Sequence, residues 1–148
     1  MNRSSIEIAV GIFVLLGIIC VGYLTIRLGK MEWLGDDSYA VYAHFQSVSG
    51  LNAGASVEMA GVQVGQVGSI SLSKEEKVAI VKMKIQKGTV LSDDVIASVK
   101  TSGLIGDKFI MLSPGGSDQI LGPEDTILET ESAIDLEELI SKYVFGGI

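Results

Sequence analysis

The sequence predicts a small all-β barrel that lies between an N-terminal transmembrane helix and a C-terminal amphipathic helix. Three observations along the 148 residues lead to this prediction. The chain opens on a long uncharged apolar run, continues as short segments of alternating apolar and polar residues, and closes on apolar residues spaced three and four apart. These patterns are typical of a membrane span, of half-buried strands and of a helix with one apolar face.

The apolar run covers residues 8–26, which include no charged residue and no histidine. At about 1.5 Å per residue a helix of this length spans roughly 28 Å, close to the hydrocarbon thickness of a bilayer. A cleavable signal peptide is the competing interpretation, but its apolar region is usually about 7–15 residues long and ends at a small-x-small site. A buried helix of a soluble protein is disfavoured because no polar stripe interrupts the run. We therefore predict an uncleaved anchor over residues 1–28.

The flanking charges say little about orientation, since Arg3 precedes the run and Arg27 and Lys30 follow it. Long domains are translocated largely regardless of flanking charge, so we expect the N-terminus in the cytoplasm and the remainder outside. Residues 29–38 predict a juxtamembrane linker. Its Trp33 lies either at the level of the lipid headgroups or against a protein surface.

Residues 39–130 predict the barrel. In three segments every second residue is apolar, which is the pattern of a strand with one buried and one wet face. These sets are Tyr39, Val41, Ala43 and Phe45; Val81, Met83 and Ile85; and Val95, Ala97 and Val99. Residues 109–112 and 126–128 are predicted as later strands, with glycine and proline at 114–116 and 122–125 in the turns between them.

Residues 62–72 predict a strand with an interruption. Its other valines, isoleucine and leucine share one face, whereas Val67 falls on the opposite face between Gly65 and Gly68. Glycines at such a break are typical of a β-bulge or a sharp barrel corner. Many short strands with glycine-rich corners favour a small barrel or a sandwich.

The last part of the chain, residues 131–148, predicts a helix. Ser132 and Asp135 form an approximate capping box, so we expect the helix to run from Ser132 to Phe145. One apolar stripe follows this helix; its residues are Leu136, Leu139, Ile140, Tyr143 and Val144. A helix of this length is marginal alone in water, so it packs either against its own barrel or against copies of itself.

The composition argues against catalysis, cofactors and metal sites. His44 is the single histidine and is predicted on a half-exposed strand, while the single cysteine, Cys20, lies in the apolar run, so no intrachain disulfide is possible. No Walker-type loop or His-Glu-x-x-His motif occurs. The net charge is −7, and residues 109–141 contain no lysine or arginine, which counts against nucleic-acid binding.

One segment is unusual for a loop. Leu104 and Ile105 lie between Gly103 and Gly106, just before a predicted strand. Glycines permit the backbone conformations of a tight loop and could act as its hinges. Loop tips ordinarily avoid large aliphatic residues, so this pair is either tucked back into the core or displayed to a partner or ligand.

Two groups of residues resemble the signatures of the MCE (mammalian cell entry) domain family. The first comprises residues 45–51 with Gly54, Val57, residues 61–67 and Ile70. Residues 101–110 are similar to the second signature. The two lie in the expected order, between an N-terminal anchor and a C-terminal helix. The chain is therefore identified as a member of this family over roughly residues 39–130.

The resemblance implies a β-barrel that assembles into a homo-hexameric ring. Such a ring is expected on ABC permease and ATPase subunits in the bacterial inner membrane, anchored by one span, with its barrel domain in the periplasm. It would pass phospholipid between the inner membrane and the periplasm, with a periplasmic lipid-carrier protein as a partner. In this family the apolar pair, here Leu104 and Ile105, lines a central pore that the C-terminal helices extend.

The physical chemistry of lipid agrees with that expectation. Exposing an acyl chain of about sixteen carbons to water costs on the order of 10 kcal/mol, at ~0.8 kcal/mol per methylene. A path for lipid must therefore be apolar and shielded from water. The alternative that the sequence leaves open is an anchored structural or adhesion ring that conducts no lipid.

Overall fold

The structure, a computed structural model, describes residues 2–28 and 37–146. The chain divides into two compact units, Met1–Asp36 and Asp37–Ile148. Most of the predicted linker, including Trp33, lies outside the described residues.

The described residues of the first unit form one helix, α1, over Arg3–Leu28. Its most apolar stretch of eighteen residues has a mean hydropathy of 2.5, so α1 is long and apolar enough to cross a membrane. None of its residues is buried. The hydroxyl of Thr25 donates a hydrogen bond to the Val21 carbonyl at 2.8 Å, which satisfies this polar group within the helix. The helix thus fits a single-pass anchor.

Residues 37–146 of the second unit form eight strands and a short helix. The strands are β1 (Ser38–Phe45), β2 (Ser56–Met59), β3 (Val62–Leu72), β4 (Ala79–Gln86), β5 (Ile96–Thr101), β6 (Lys108–Ser113), β7 (Thr126–Ile127) and β8 (Glu129–Glu131), and the helix is α2 (Leu136–Phe145). They form one sheet in the order β7-β1-β4-β3-β2-β6-β5-β8. The sequence did not indicate β2 or β8 as strands.

The two edges of this sheet meet, so the barrel is nearly closed. β7 pairs in parallel with β1 and β8 in parallel with β5, and only Leu128 separates β7 from β8. A single short segment therefore joins both edges of the sheet. The hydroxyl of Thr130 adds a hydrogen bond of 2.7 Å to the His44 carbonyl on β1. Closure leaves little unpaired strand edge, and the predicted all-β barrel is confirmed.

The core is built from the alternating residues of neighbouring strands. Val41 lies opposite Met83 and Ala43 opposite Val81 in the antiparallel β1–β4 pair. The buried residues are Val41, Ala43, Phe45, Leu51, Val57, Val67, Val81, Met83, Ile85, Leu91, Val95, Ala97, Val99, Ile110, Leu112 and Ile127. Tyr39, predicted on the same face as Val41, is partly buried at the edge of this core.

The interruption predicted in residues 62–72 is a bulge in β3. Val67 pairs with Met83 on β4, but the next pair is Ser69 with Lys82, so Gly68 is the extra residue. An extra residue reverses which side chains face inward. Val67 is buried for this reason, and Ile70 packs against the core beyond the bulge.

The start of α2 differs from the sequence prediction. The helix begins at Leu136, after Asp135, and no side chain caps it. Ser132 is not the cap, because its Oγ accepts a hydrogen bond from the Ser47 backbone N–H at 3.2 Å. The Ala133 N–H also donates to the Ser47 carbonyl at 3.1 Å. Contacts with the barrel thus hold residues 132–133 outside the helix.

Candidate functional site

The apolar pair identified from the sequence lies in the loop that joins β5 to β6. The Ser102 N–H donates to the Asp107 carbonyl at 2.9 Å and closes this loop. Gly103 has a φ of +71°, which L-residues rarely adopt, and a Cβ at Gly106 would collide with the Ser102 carbonyl oxygen. The two glycines therefore shape the loop for different reasons: one sets the backbone conformation and the other allows a close approach.

Of the two placements that the sequence left open, the structure shows the displayed one. Leu104 is 81% exposed and Ile105 is 99% exposed. Burying one such side chain is worth roughly 1.5–3 kcal/mol, so leaving two adjacent ones in water is unfavourable unless something covers them. We refer to residues 102–107 as the apolar loop.

The stripe of α2 is also uncovered. Leu136, Leu139, Ile140, Tyr143 and Val144 are all exposed, and no residue of α2 is buried. Packing against its own barrel, one of the two alternatives for this helix, does not occur in the single chain. Whether the stripe packs against further copies stays a prediction.

The apolar loop and the start of α2 lie on either side of one cleft. This cleft is lined by Leu104, Ile105 and Gly106 of the loop, by Ser49, Thr101 and Lys108 of the barrel, and by Asp135, Leu136, Glu137 and Glu138 at the start of the helix. The structure therefore brings together the predicted loop residues and the first residue of the predicted stripe. Tyr143 and Val144, near the other end of α2, do not line this cleft.

Lys108, the first residue of β6, connects the two sides of the cleft. Its Nζ donates a hydrogen bond to the Ile134 carbonyl at 3.0 Å and lies 3.7 Å from Asp135 Oδ1. Its side chain is 13% exposed. The sequence does not single out Lys108, although it lies in the second signature, because no local pattern pairs it with Ile134, which is 26 positions later, or with Asp135.

A second contact that the sequence did not reveal closes the barrel at β8. Ser98 is buried on β5, and its hydroxyl donates to Glu131 Oε2 at 2.6 Å. Lys100 Nζ lies 3.6 Å from the same oxygen. The Ser98 hydrogen bond and the positive charge of Lys100 lower the pKa of the Glu131 carboxyl, since both favour its ionised form. This contact links β5 to β8, and none of its three residues lines the cleft between the apolar loop and α2.

The titratable groups that line the cleft beside the apolar loop are Lys108, Asp135, Glu137 and Glu138. His44 Nδ1 lies 3.3 Å from Glu76 Oε2 on the exposed surface. Within residues 2–28 and 37–146, no group of three or more histidine, cysteine or acidic residues is placed to hold a metal ion. What the loop and the helix present is apolar surface beside an acidic first helical turn.

Comparison with known proteins decides the family. A model of the MlaD protein family matches residues 37–115, a range that includes both signatures. The chain is 32% identical over 154 residues to the Escherichia coli protein named "Intermembrane phospholipid transport system binding protein MlaD", covering 99% of this chain and 84% of that protein. The chain belongs to the MlaD protein family. The resemblance found from the two signatures is thereby confirmed.

Two further relatives agree with this MlaD assignment. A Haemophilus influenzae protein of the same name is 33% identical over 146 residues, covering 95% of this chain and 87% of that protein. The solved structure described as "Acinetobacter MlaFEDB complex in ATP-bound Vtrans1 conformation" contains a chain that matches with a TM-score of 0.69 and 28% identity. That match covers 96% of this chain and 100% of the other. The curated MlaD relatives are named as binding proteins of a transport system, not as enzymes.

Proposed function

We propose that this MlaD-family chain is a membrane-anchored subunit of a phospholipid transport system and that it provides an apolar path for lipid. The observation that carries the proposal is the exposed pair Leu104 and Ile105, displayed across a cleft from the uncovered start of α2. The near full-length similarity to MlaD proteins of a phospholipid transport system supplies the substrate class.

The path requires several copies, because one chain presents only one loop and one helix. We propose a homo-hexameric ring in which six apolar loops form a constriction and six α2 stripes extend it. Closed symmetry would cover the apolar surfaces without producing open filaments. A constriction made of aliphatic side chains lowers the cost of passing each methylene, which is ~0.8 kcal/mol in water. It also discriminates little between lipids, since it offers no hydrogen-bonding pattern to a headgroup.

The same proposal assigns a location and a role to each part of the chain. Residues 1–28 form the anchor in a bacterial inner membrane, residues 29–38 the linker, residues 39–130 the barrel and residues 131–148 the helical extension. The barrel and the helix lie in the periplasm, where a soluble lipid-carrier protein exchanges lipid with the ring. The similarity to a chain of the MlaFEDB complex supports ABC permease and ATPase subunits as partners. Within this scheme the chain conducts lipid and performs no catalysis.

Site-specific photo-crosslinking tests the proposal. A photoreactive amino acid at Leu104 of the full chain, in membranes that contain radiolabelled phospholipid, is expected to capture lipid. Ile120 is the matched control, because it is also an exposed aliphatic residue but is not part of the apolar loop. It pairs with Ser92, which precedes β5 in the chain, whereas the apolar loop follows β5. Capture at Leu104 well above capture at Ile120 supports a lipid path. Equal or absent capture at both sites would instead favour the structural or adhesion ring.

A further inference from the structure

Lys108 is a lysine with little exposed side-chain surface. Lysine is seldom buried unless its ammonium is paired, yet this side chain is 13% exposed. Its position is also distinctive, since it pairs with Thr101 at the base of the apolar loop. A lysine in this place needs a physical reason.

The stem of Lys108 packs against a tight turn of the first signature. Gly50 lies in this turn, which the Leu51 N–H closes by donating to the Val48 carbonyl at 2.9 Å. A Cβ at Gly50 would be 3.1 Å from Lys108 Cγ and 3.5 Å from its Cε. The methylenes of Lys108 thus lie against the backbone of Gly50, and this contact directs the ammonium towards the start of α2.

The ammonium contacts the two residues that immediately precede α2. It donates to the Ile134 carbonyl at 3.0 Å and lies 3.7 Å from the carboxylate of Asp135. A positive charge near the N-terminus of a helix is disfavoured by the helix dipole. Asp135 and the acidic residues Glu137 and Glu138 of the first turn offset this repulsion. The contact is therefore stabilised by specific opposite charges.

The position of α2 depends on these contacts near its N-terminal end. Ser47 of the barrel holds residues 132–133 by two hydrogen bonds, and Lys108 holds residues 134–135. No residue of α2 itself is buried, so the helix body has little packing to orient it. The direction in which α2 leaves the barrel is consequently set by the residues just before it.

We propose that Lys108 is a positioning residue that holds the start of α2 beside the apolar loop, so that the loop and the α2 stripe form one continuous apolar surface. The alignment of a lipid path is the part of this inference that rests on the proposed function. The tether between Lys108 and residues 134–135 stands on the geometry alone and can be tested without lipid.

The experiment compares variants of the full chain by amide hydrogen exchange of α2. Lys108→Met keeps the apolar stem against Gly50 and removes the ammonium, while Lys108→Arg keeps a charged donor. Lys87→Met is the control, because the Lys87 ammonium also pairs with a carboxylate, that of Asp37 at 3.7 Å, and Lys87 lines neither of the clefts that α2 residues line. We expect exchange of residues 136–145 to be at least tenfold faster in Lys108→Met, with β5 and β6 unchanged. In Lys108→Arg the exchange rate should return to within threefold of the rate in the unchanged chain, and in Lys87→Met it should equal that rate.

Two results would overturn the positioning role. One is unchanged exchange of α2 in Lys108→Met; the other is faster exchange throughout β5 and β6, which would make Lys108 a stabiliser of the barrel as a whole.

Lipid capture from a photoreactive residue at Leu139 tests the alignment of the lipid path separately. In Lys108→Met it should fall at least fivefold while capture at Leu104 persists. Undiminished capture at Leu139 despite faster exchange would show that the tether does not align a path.

Discussion

At the scale of single residues, the apolar loop contains two kinds of residue with different roles. Its glycines determine the backbone conformation, and its aliphatic residues contribute little to the stability of the core. Gly103 and Gly106 determine the backbone, because one adopts a positive φ and the other lies against the Ser102 carbonyl. Leu104 and Ile105 add almost nothing to the core, since both point into solvent in the single chain. Side chains that are costly to expose and unnecessary for folding are typical of surfaces that contact a ligand or partner.

The double variant Leu104→Asn with Ile105→Asn is therefore expected to fold normally and to stop lipid passage. Its thermal midpoint should shift by less than about 4 °C, which is what ~1 kcal/mol produces in a domain of this size. Polar side chains would hydrate the constriction and raise the cost for each methylene. Both quantities are measured on the same protein, the midpoint by calorimetry and passage by transfer of labelled lipid.

Leu112→Ala is the control for this variant, because Leu112 is fully buried on β6. A buried leucine truncated to alanine costs roughly 2–5 kcal/mol, so its midpoint should fall clearly. A comparable fall in the double variant would assign the loop residues to the core. A stable double variant that still passes lipid would remove the channel from the proposed function.

At the scale of elements, β8 closes the barrel with few residues and one strong side-chain contact. β8 spans only Glu129–Glu131, and its Glu131 accepts the hydrogen bond from buried Ser98 on β5. A hydrogen bond to an ionised carboxylate is stronger than one between neutral groups. The closing contact therefore depends on the ionisation of Glu131.

This dependence predicts a specific response to acid. The folded-state pKa of Glu131 is lowered from its ordinary value of 4.5, so its stabilisation is present above that value and is lost as pH falls through the folded pKa. Glu131→Gln should lower the thermal midpoint at pH 7, and its gap to the unchanged protein should narrow as the pH falls below 4.5. A constant gap for Glu131→Gln would show that its charge does not contribute.

At the scale of the whole molecule, the barrel brings the two edges of its sheet together but leaves apolar surface uncovered. β7 and β8 bring the two sheet edges together, whereas the apolar loop and the α2 stripe remain in solvent. Strand-edge pairing is thus an unsuitable route to assembly, while burial of the stripe is a favourable one.

A fragment that begins at Glu32 and lacks the anchor is therefore expected to form a closed oligomer. This fragment retains Asp37, whose carbonyl accepts a hydrogen bond from the Lys87 N–H at 2.8 Å. Native mass spectrometry or light scattering measures the number of copies, for which we expect six. A fragment that stays monomeric at high concentration would contradict the ring.

Leu139→Asp and Ser141→Asp are a matched pair of variants that test whether the α2 stripe forms the interface of this oligomer. The first places a charge on the apolar stripe and should dissociate the oligomer, since an unpaired charge in an apolar interface is costly. Ser141 lies on the opposite side of α2, so Ser141→Asp should leave the assembly unchanged. If both variants had the same oligomeric state, the α2 stripe would not form the interface between copies.

Much of this fold was predictable because it depends on local periodicity. The alternation in β1 and β4 identified both strands and their buried faces, and the break at Val67 identified the bulge. β8 was missed because Glu129–Glu131 contains no apolar residue, and β2 because the two apolar residues of Ser56–Met59 are too few for a pattern to stand out. Ser132 was assigned as a helix cap, but its hydroxyl contacts Ser47, which is distant in the sequence.

The sequence by itself determined the apolar anchor segment, the faces of the main strands, the glycine-flanked aliphatic pair and the stripe of α2. Each is a property of the order of residues, because side-chain period follows from backbone geometry. Only the tertiary structure decided that Leu104 and Ile105 are displayed, that β8 closes the barrel and that Lys108 reaches the start of α2. Exposure and pairing depend on what lies opposite a residue in space, and distant parts of the chain supply those neighbours.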